Sequence, residues 1–98
     1  MNVLDFFENN IYPNVNPLFG IVETVFDKEG DFGYLTRFSL YSNKKLANIE
    51  IWSRGWIGFE IYNIENRDLI MVYSKIISPE NMSKDEFYEF EERLFDEI

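Results

Sequence analysis

Apolar and polar residues alternate with a period of two along three runs in the second half of the chain. The runs cover residues 46–52, 56–62 and 69–73, and β-branched and aromatic side chains dominate them. Short connections at 53–55 and 65–66 contain Gly or Asn. Such alternation predicts strands with one buried face, and the short connections predict an antiparallel meander.

The first of these hairpins has a register that the pattern itself favours. A three-residue loop with Gly55 in the left-handed conformation places Trp52 opposite Trp56. The pairs beyond it are Ile51 with Ile57, Ile49 with Phe59 and Ala47 with Ile61. These six side chains then lie on one side of the sheet, whereas a two-residue loop would mix them with a charged residue. We therefore expect this side to face the core.

The second hairpin is expected to turn on a two-residue connection at 65–66. This turn pairs Ile61 with Ile70 and Phe59 with Val72, so the core side stays aliphatic. The opposite side then collects aromatic residues, a methionine and two carboxylates. Its members are Leu46, Asn48, Glu50, Trp52, Trp56, Glu60, Tyr62, Leu69, Met71 and Tyr73.

Two interpretations of this second side stay open. Trp, Tyr and Met are enriched at the centres of protein interfaces, and a monomer seldom leaves such a patch bare, so it is a candidate surface for a partner or a second copy of the chain. Alternatively, another part of the same chain covers it, and the N-terminal segment is the first candidate for that cover.

The first half of the chain predicts one helix and two more strands. These elements are a helix over 3–10 and strands over 18–26 and 32–41. Pro13 and Pro17 are expected to prevent the helix from continuing. The two strands are expected to meet at a hairpin turn over 27–30, with Gly30 in the left-handed conformation.

The C-terminal segment predicts a helix with a well-marked start. Ser83 suits the N-cap, and Glu86 three residues later can return a hydrogen bond to it, while Met82 can pack on Phe87 as a hydrophobic staple. An apolar stripe, expected on the aliphatic side of the sheet, consists of Phe87, Phe90, Leu94 and Ile98. The remaining surface of the helix is acidic, with Asp85, Glu86, Glu89, Glu91, Glu92, Asp96 and Glu97.

These elements predict an α+β fold, with a five-stranded antiparallel meander sheet, a short N-terminal helix and a C-terminal helix packed on one face. The 98 residues suit a single domain over 1–98 with one core. Eighteen acidic residues against nine basic ones give a formal charge of −9, which repels nucleic acid and anionic membranes and favours a basic partner. The N-terminal residues show no signal peptide or membrane span, so we expect a cytoplasmic protein.

Composition argues against most enzyme chemistries. The chain has no Cys and no His, which removes thiolate nucleophiles, the commonest zinc ligand and the usual general base near neutral pH. Glu50 and Glu60 share a face like an acid–base pair, but the preferred interpretation is two neighbours on a polar, aromatic surface. The turn over 27–31 resembles half of a calcium-binding loop, because acidic residues alternate at Asp27, Glu29 and Asp31. Its Gly, however, is not at the position that such a loop requires. We expect no enzyme activity, no cofactor and no metal.

The segment 49–55, with Trp52 and Gly55, followed by Glu60 five residues later, resembles the TriTu-type immunity proteins of bacterial polymorphic toxin and contact-dependent growth inhibition systems. The likeness includes the short N-terminal helix and continues through 78–83 into the acidic C-terminal helix. Residues 12–45 match only in length and strand character.

The resemblance implies a cytoplasmic immunity protein that neutralises a cognate toxin domain. In this group the toxin is similar to a tRNA-cutting ribonuclease that also engages elongation factor Tu, so a ternary assembly is conceivable. A nuclease presents Lys and Arg to phosphates, and an acidic surface with aromatic anchors suits it. The residues expected to bind this partner are Glu50, Trp52, Trp56, Glu60, Tyr62, Met71, Tyr73, Glu89 and Glu92.

Two other functions stay open. The first is a homodimeric accessory subunit whose aromatic face pairs with its own copy. The second is an acidic mimic of nucleic acid, aimed at a nuclease or repressor. In each case the excess negative charge argues against direct binding to nucleic acid or to a membrane.

Overall fold

The computed structural model describes residues 1–96 and confirms the predicted α+β fold with an antiparallel meander. The five strands are β1 (Gly20–Val25), β2 (Leu35–Tyr41), β3 (Lys45–Trp52), β4 (Ile57–Glu65) and β5 (Asp68–Ile77). They lie in the sheet in chain order, each antiparallel to the next. The helices are α1 (Val3–Phe6), a π-helix (Phe7–Ile11), α2 (Tyr12–Val15), a 3₁₀ turn (Pro79–Asn81) and α3 (Lys84–Leu94).

The β3–β4 hairpin has the predicted register. Ile51 pairs with Ile57, Ile49 with Phe59 and Ala47 with Ile61. The Trp52 backbone N–H donates to the Trp56 carbonyl at 3.0 Å, and Gly55 has φ +96°, as the three-residue loop requires. The side chains of these paired aliphatic residues are buried.

The predicted β4–β5 register was wrong. The turn residues are Asn66 and Arg67, with φ of 50° and 70°, and so Glu65 pairs with Asp68. A register shift between Ile61 and Tyr62 then moves the pairing again. As a result Ile61 pairs with Tyr73 and Phe59 with Lys75. Because an extra residue in one strand reverses the side on which later residues lie, Tyr73 belongs to the core side.

The N-terminal helical segment runs past the predicted stop at Pro13. A π-helix over Phe7–Ile11 lets the Tyr12 N–H donate to the Phe7 carbonyl, and Pro13 then falls in the first turn of α2. Proline is tolerated there because the N–H it lacks has no intrahelical partner in a first turn. The side-chain amides of Asn10 and Asn14 donate to the Phe6 and Asn10 carbonyls at 3.2 and 3.0 Å.

The β1–β2 connection is longer than the predicted turn. Gly30 and Gly33 form an isolated bridge, and the glycine with the positive φ is Gly33, at +92°, not Gly30. Ser53 ties this connection to the next loop, because its N–H donates to the Tyr34 carbonyl and its Oγ accepts from the Tyr34 N–H.

Both helical segments pack on the aliphatic side of the sheet, as predicted for the C-terminal helix. Phe90 stacks on Phe59 of β4 at 4.7 Å between ring centroids, and Phe7 lies 4.5 Å from Phe38 of β2. Phe87, Phe90 and Leu94 are fully buried, as the stripe predicted, whereas Ile98 lies outside the described residues. The N-terminal segment therefore covers β2, and α3 covers β4 and β5.

The first turn of α3 begins where it was predicted, but its capping box does not form. Ser83 occupies the N-cap position, although its side chain makes no cap hydrogen bond within the described part of the chain. The Glu86 carboxylate accepts from Lys75 Nζ at 2.7 Å instead. A charged partner outcompetes the cap N–H because charge-assisted hydrogen bonds are the stronger ones.

Candidate partner-binding face

The side of the sheet opposite the helices is called here the open face, and no element within residues 1–96 packs on it. It carries the side chains of Val22 and Thr24, Leu35, Arg37, Ser39 and Tyr41, Leu46, Asn48, Glu50 and Trp52, Glu60, Tyr62 and Ile64, and Leu69, Met71, Ser74 and Ile76. Tyr41 is 51% exposed, Met71 49% and Ile76 66%. The N-terminal segment, which was the candidate cover, lies on the core side.

The centre of the open face is polar and internally hydrogen-bonded. The Arg37 guanidinium donates to the Glu50 carboxylate at 2.8 Å, and the Tyr62 hydroxyl donates to the Glu60 carboxylate at 2.6 Å. Asn48 lies opposite Glu60, and so Glu50 and Glu60 are diagonal neighbours on adjacent strands, as predicted. These contacts hold both carboxylates in place, which suits the recognition of a cation.

The Tyr62 hydroxyl reports the negative potential of this centre. Its pKa is raised above 10.0, first by the hydrogen bond to Glu60, then by burial and by the charges of Glu60 and Glu50. Each of these causes disfavours the phenolate, since it would face carboxylates at close range. Glu60 is therefore the residue that contributes most to holding the Tyr62 hydroxyl in its protonated form.

Three aromatic rings gather at the end of the open face near the loops. Phe32 stacks on Trp56 at 4.3 Å with an angle of 12° between the rings, and meets Trp52 edge-on at 5.6 Å. Trp52 itself lies across Gly58, where a Cβ would be 3.4 Å from its ring. We call Phe32, Trp52 and Trp56 the aromatic corner.

Phe32 was not identified as a site residue from the sequence. It was assigned to the start of a strand, whereas it lies in the long β1–β2 connection, before β2 begins at Leu35. Arg54 holds this connection in position by donating to the Asp31 carbonyl at 3.1 Å and to the Glu29 carboxylate at 2.8 Å. No local sequence signal could have placed Phe32 against two tryptophans from another hairpin.

Arg54 also pairs with one of the acidic residues in the turn over 27–31 that resembles half of a calcium-binding loop. The Glu29 carboxylate that this loop would need is paired with the Arg54 guanidinium. Among the residues that the structure describes, no group of three or more acidic side chains is arranged to hold a metal ion.

The structure brings together only part of the predicted partner-binding set. Five of its members share the open face, namely Glu50, Trp52, Glu60, Tyr62 and Met71. Trp56 lies in the aromatic corner at the end of this face. Tyr73 was placed on the wrong side, since it is 9% exposed and packs against Phe90 in the core. Glu89 and Glu92 belong to α3, on the other side of the sheet.

The acidic helix and the open face are therefore two separate surfaces. The segment Lys84–Leu94 contains five carboxylates, from Asp85, Glu86, Glu89, Glu91 and Glu92, against the two basic residues Lys84 and Arg93. A partner that touches both surfaces must reach around an edge of the sheet.

Comparisons with known proteins add no relative to this picture. No protein-family model matches the chain, and neither a curated protein nor a solved structure is similar to it. Within residues 1–96, every helix is too short or too polar to cross a membrane.

Proposed function

We propose that this protein is an immunity protein that binds and neutralises a cognate toxin domain, a basic nuclease that cuts tRNA in the cytoplasm. The observation that carries the proposal is the open face, a broad aromatic surface with two fixed carboxylates that no described element covers. A folded monomer seldom leaves such a surface bare, and the Trp, Tyr and Met side chains around its polar centre are types enriched at interfaces.

Charge supports a basic partner. The chain carries a formal charge of −9. At the centre of the open face, the hydrogen bond to Glu60 is the first cause that raises the pKa of Tyr62, and the charges of Glu60 and Glu50 add to it after burial. A nuclease must display Lys and Arg groups to bind phosphates, so an acidic protein is attracted to the phosphate-binding surface of the nuclease. Attraction of this kind mainly speeds association and suppresses wrong partners.

Burial supports the aromatic corner as the anchor. Trp52 and Trp56 are only half-buried in the free protein, and the ring contacts with Phe32 hold them in position. Rigid aromatic side chains lose little conformational freedom when a partner covers them, which is why Trp and Tyr dominate interface energetics.

The test needs a candidate toxin domain, which the proposal expects to be encoded by a neighbouring gene. Purified toxin should cut tRNA, and an equimolar amount of this protein should stop the cutting. Trp52→Ala and Glu60→Ala should each weaken binding by about 2 kcal/mol or more, roughly 30-fold, if the residues are central.

Tyr88→Ala is the control, because Tyr88 is an aromatic residue on the helical side and is 47% exposed, more than Trp52. It should leave affinity within about twofold of the native value. Thermal unfolding of each variant separates lost binding from lost folding. If both open-face variants fold and bind the toxin with unchanged affinity, the open face is not the toxin-binding surface.

An assembly with elongation factor Tu is part of the proposal. If the toxin engages the factor, the three proteins should co-elute in size-exclusion chromatography, with this protein present only when toxin is present. Co-elution of this protein with the factor alone would contradict a toxin-mediated assembly.

A homodimer is the second candidate, because the bare open face also fits a second copy of the chain. Light scattering of the isolated protein decides between them. A stable dimer whose association is lost in Trp52→Ala would assign the face to self-association.

A further inference from the structure

We infer that the partner docks by adding an extended strand to the outer edge of β5, with apolar side chains on the open face and basic side chains toward α3. This inference rests on the proposed function for the identity of the partner, but the edge can be tested without the toxin.

The outer edge of β5 is long and apolar, and no strand within residues 1–96 pairs with it. One of its carbonyls, that of Val72, accepts from the Arg93 guanidinium of α3 at 3.0 Å. β5 has ten residues, and 69–74 is an uncharged stretch in a chain with 28% charged residues. Leu69, Ile70, Met71 and Val72 are consecutive, and their exposed fractions run from 39% to 54%. An edge of this kind is a template for pairing with another strand.

The other edge is a poorer template. β1 has six residues and carries the charged Glu23 near its middle, with Gly20 at one end. A charge on an edge strand discourages strand addition, and glycine pairs weakly. β5 is also charged, at Asp68 and Lys75, but these residues flank its uncharged stretch. The two edges therefore differ in length and in the position of their charges, which favours β5.

The turn geometry shows which backbone groups of β5 face outward. Glu65 and Asp68 flank the two-residue turn and form a hydrogen-bonded pair, and such pairs alternate along an antiparallel ladder. The N–H and C=O of Leu69, and by the same alternation those of Met71, therefore point away from β4. They are the groups that an added strand would bond.

Side-chain chemistry defines the occupant. On the open face, a strand beside β5 would meet Leu69, Met71 and Ile76, which are 54%, 49% and 66% exposed. On the helical side it would meet Arg93, which is already bonded to the Val72 carbonyl, and Glu89. Glu89 shares the single ammonium of Lys75 with Glu86. Glu86 takes the shorter contact, 2.7 Å against 3.3 Å, and the Glu89 side chain remains 47% exposed.

The negative charge of Glu89 acts on the Tyr73 hydroxyl of β5. After burial, Glu89 is the largest cause that raises the pKa of the Tyr73 hydroxyl. Because side chains alternate along a strand, an occupant with apolar and basic residues in alternation satisfies both sides. This edge is also where one partner can reach the open face and the acidic helix together.

The direct test uses two synthetic decapeptides, one alternating Val with Lys and one alternating Val with Glu. Amide hydrogen exchange of the full chain is followed by NMR. The Val-Lys peptide should slow exchange at the Leu69 and Met71 amides at least fivefold and leave the Val25 amide of β1 unchanged. The Val-Glu peptide should slow none of them.

Variants sharpen this test. Glu89→Gln should weaken the Val-Lys peptide at least threefold, while Glu91→Gln should not, because Glu91 faces the N-terminal segment and accepts from Asn14 at 3.1 Å. Leu69→Pro removes an outward N–H and should abolish the protection. Val25→Pro is its counterpart on the other edge, where the bonded Phe26–Leu35 pair turns the Val25 N–H outward.

The outcomes separate the two proposals. Free exchange at Leu69 and Met71 in the presence of the Val-Lys peptide would overturn the edge inference. If the toxin then still binds through Trp52 and Glu60, the proposed function stands without it. If the edge amides are protected by the peptide but no basic nuclease binds the protein, the edge is a strand-binding site and the immunity proposal fails.

Discussion

At the scale of single residues, the site depends on pairs that chain neighbours do not reveal. Trp52 and Glu60 were identified from their spacing, whereas Arg37 and Phe32 were not. Arg37 binds Glu50 across two strands, and Phe32 stacks on Trp56 from another loop. Spacing shows which side of a strand a residue occupies, but the partner is chosen by what the neighbouring strand brings to the same place.

Glu60→Gln should lower the pKa of Tyr62 toward its ordinary value of 10.0. The substitution removes the charge of Glu60 and weakens the acceptor of the hydroxyl, which are two of the causes that raise this pKa. NMR titration of ring-labelled tyrosine measures the shift, and Tyr88 in the same spectrum is the internal control. A Tyr62 pKa that stays at its native value would mean that burial and the charge of Glu50 set it without Glu60.

The sign of the linked stability follows from the same shift. A raised pKa in the folded state means that the folded protein holds the Tyr62 proton more tightly than the unfolded chain. This contribution to the free energy of unfolding is complete below the unfolded pKa of 10.0 and is lost as pH rises through the folded pKa.

Lys45 is the residue with the largest structural role that the sequence did not reveal. Lysine is almost never fully buried unless it is paired, and the Lys45 side chain is 5% exposed. Its Nζ donates to the Leu94 carbonyl at 2.9 Å, and also to the carbonyls of Arg93 and Asp96. A cation at the C-terminal end of a helix is favourable because the last carbonyls and the helix dipole are negative there.

Lys45→Met should therefore lower the free energy of unfolding by about 1–3 kcal/mol, since hydrogen bonds to charged groups contribute that much. Methionine keeps the apolar stem, so the loss isolates the ammonium. Lys44→Met is the control on an exposed neighbour and should change stability by less than about 0.5 kcal/mol. Urea unfolding measures both, and equal midpoints for the two variants would show that Lys45 does not anchor α3.

At the scale of elements, the β4–β5 hairpin shows how the position of one turn determines which side chains lie on each side of a sheet. The expected turn at 65–66 gives an unbroken ladder, but the observed turn at Asn66 and Arg67 and the shift after Ile61 move Tyr73 into the core. The alternating pattern of β5 is ambiguous because its residues are apolar on both sides, and apolar strands specify their register weakly by pattern alone. Packing of α3 on one side resolves the ambiguity.

The turn itself predicts a stabilising substitution. Arg67 has φ 70°, a left-handed conformation that costs a residue with a Cβ roughly 1–2 kcal/mol. Arg67→Gly should raise the free energy of unfolding by about 0.5–1 kcal/mol, because glycine adopts this conformation without the clash but loses more entropy on folding. Chemical denaturation measures the change. Arg67→Ala keeps the Cβ and should give no gain, so an equal gain in both would assign the effect to the lost charge.

At the scale of the whole molecule, helices on one side and an open face on the other divide the surface by chemistry. The five carboxylates of α3 lie on one layer and the aromatic corner on the other. The sequence analysis placed α3 on the aliphatic side, yet assigned Glu89 and Glu92 to the same partner-binding set as the tryptophans. The sheet separates them, and only the β5 edge offers a route between the two surfaces.

Net charge predicts how salt acts on the folded state. The principal extents are 37, 26 and 21 Å, and the screening length falls from roughly 30 Å at 0.01 M salt to about 8 Å at 0.15 M. At low salt the −9 charge therefore repels itself across the whole molecule. The midpoint of thermal unfolding should rise by about 4–8 °C over this range for a gain of about 1 kcal/mol.

Neutralising three exposed carboxylates is the control for this effect. A variant with Glu8→Gln, Asp85→Asn and Glu92→Gln should show a smaller salt dependence, measured by scanning calorimetry. A midpoint that falls with added salt would mean that ion pairs such as Arg37–Glu50 and Lys75–Glu86 outweigh the general repulsion.

The sequence by itself determined the order of the strands, the β3–β4 register and the buried stripe of α3. Each of these follows from a local period, two for a strand and 3.6 for a helix, which sorts side chains by side before any long-range contact forms. Only the tertiary structure decided the side on which Tyr73 lies, the partners of Lys45 and Glu86 and the position of Phe32. These features depend on contacts between residues that are distant in the chain, and the periodicity of apolar residues along the chain does not encode such contacts.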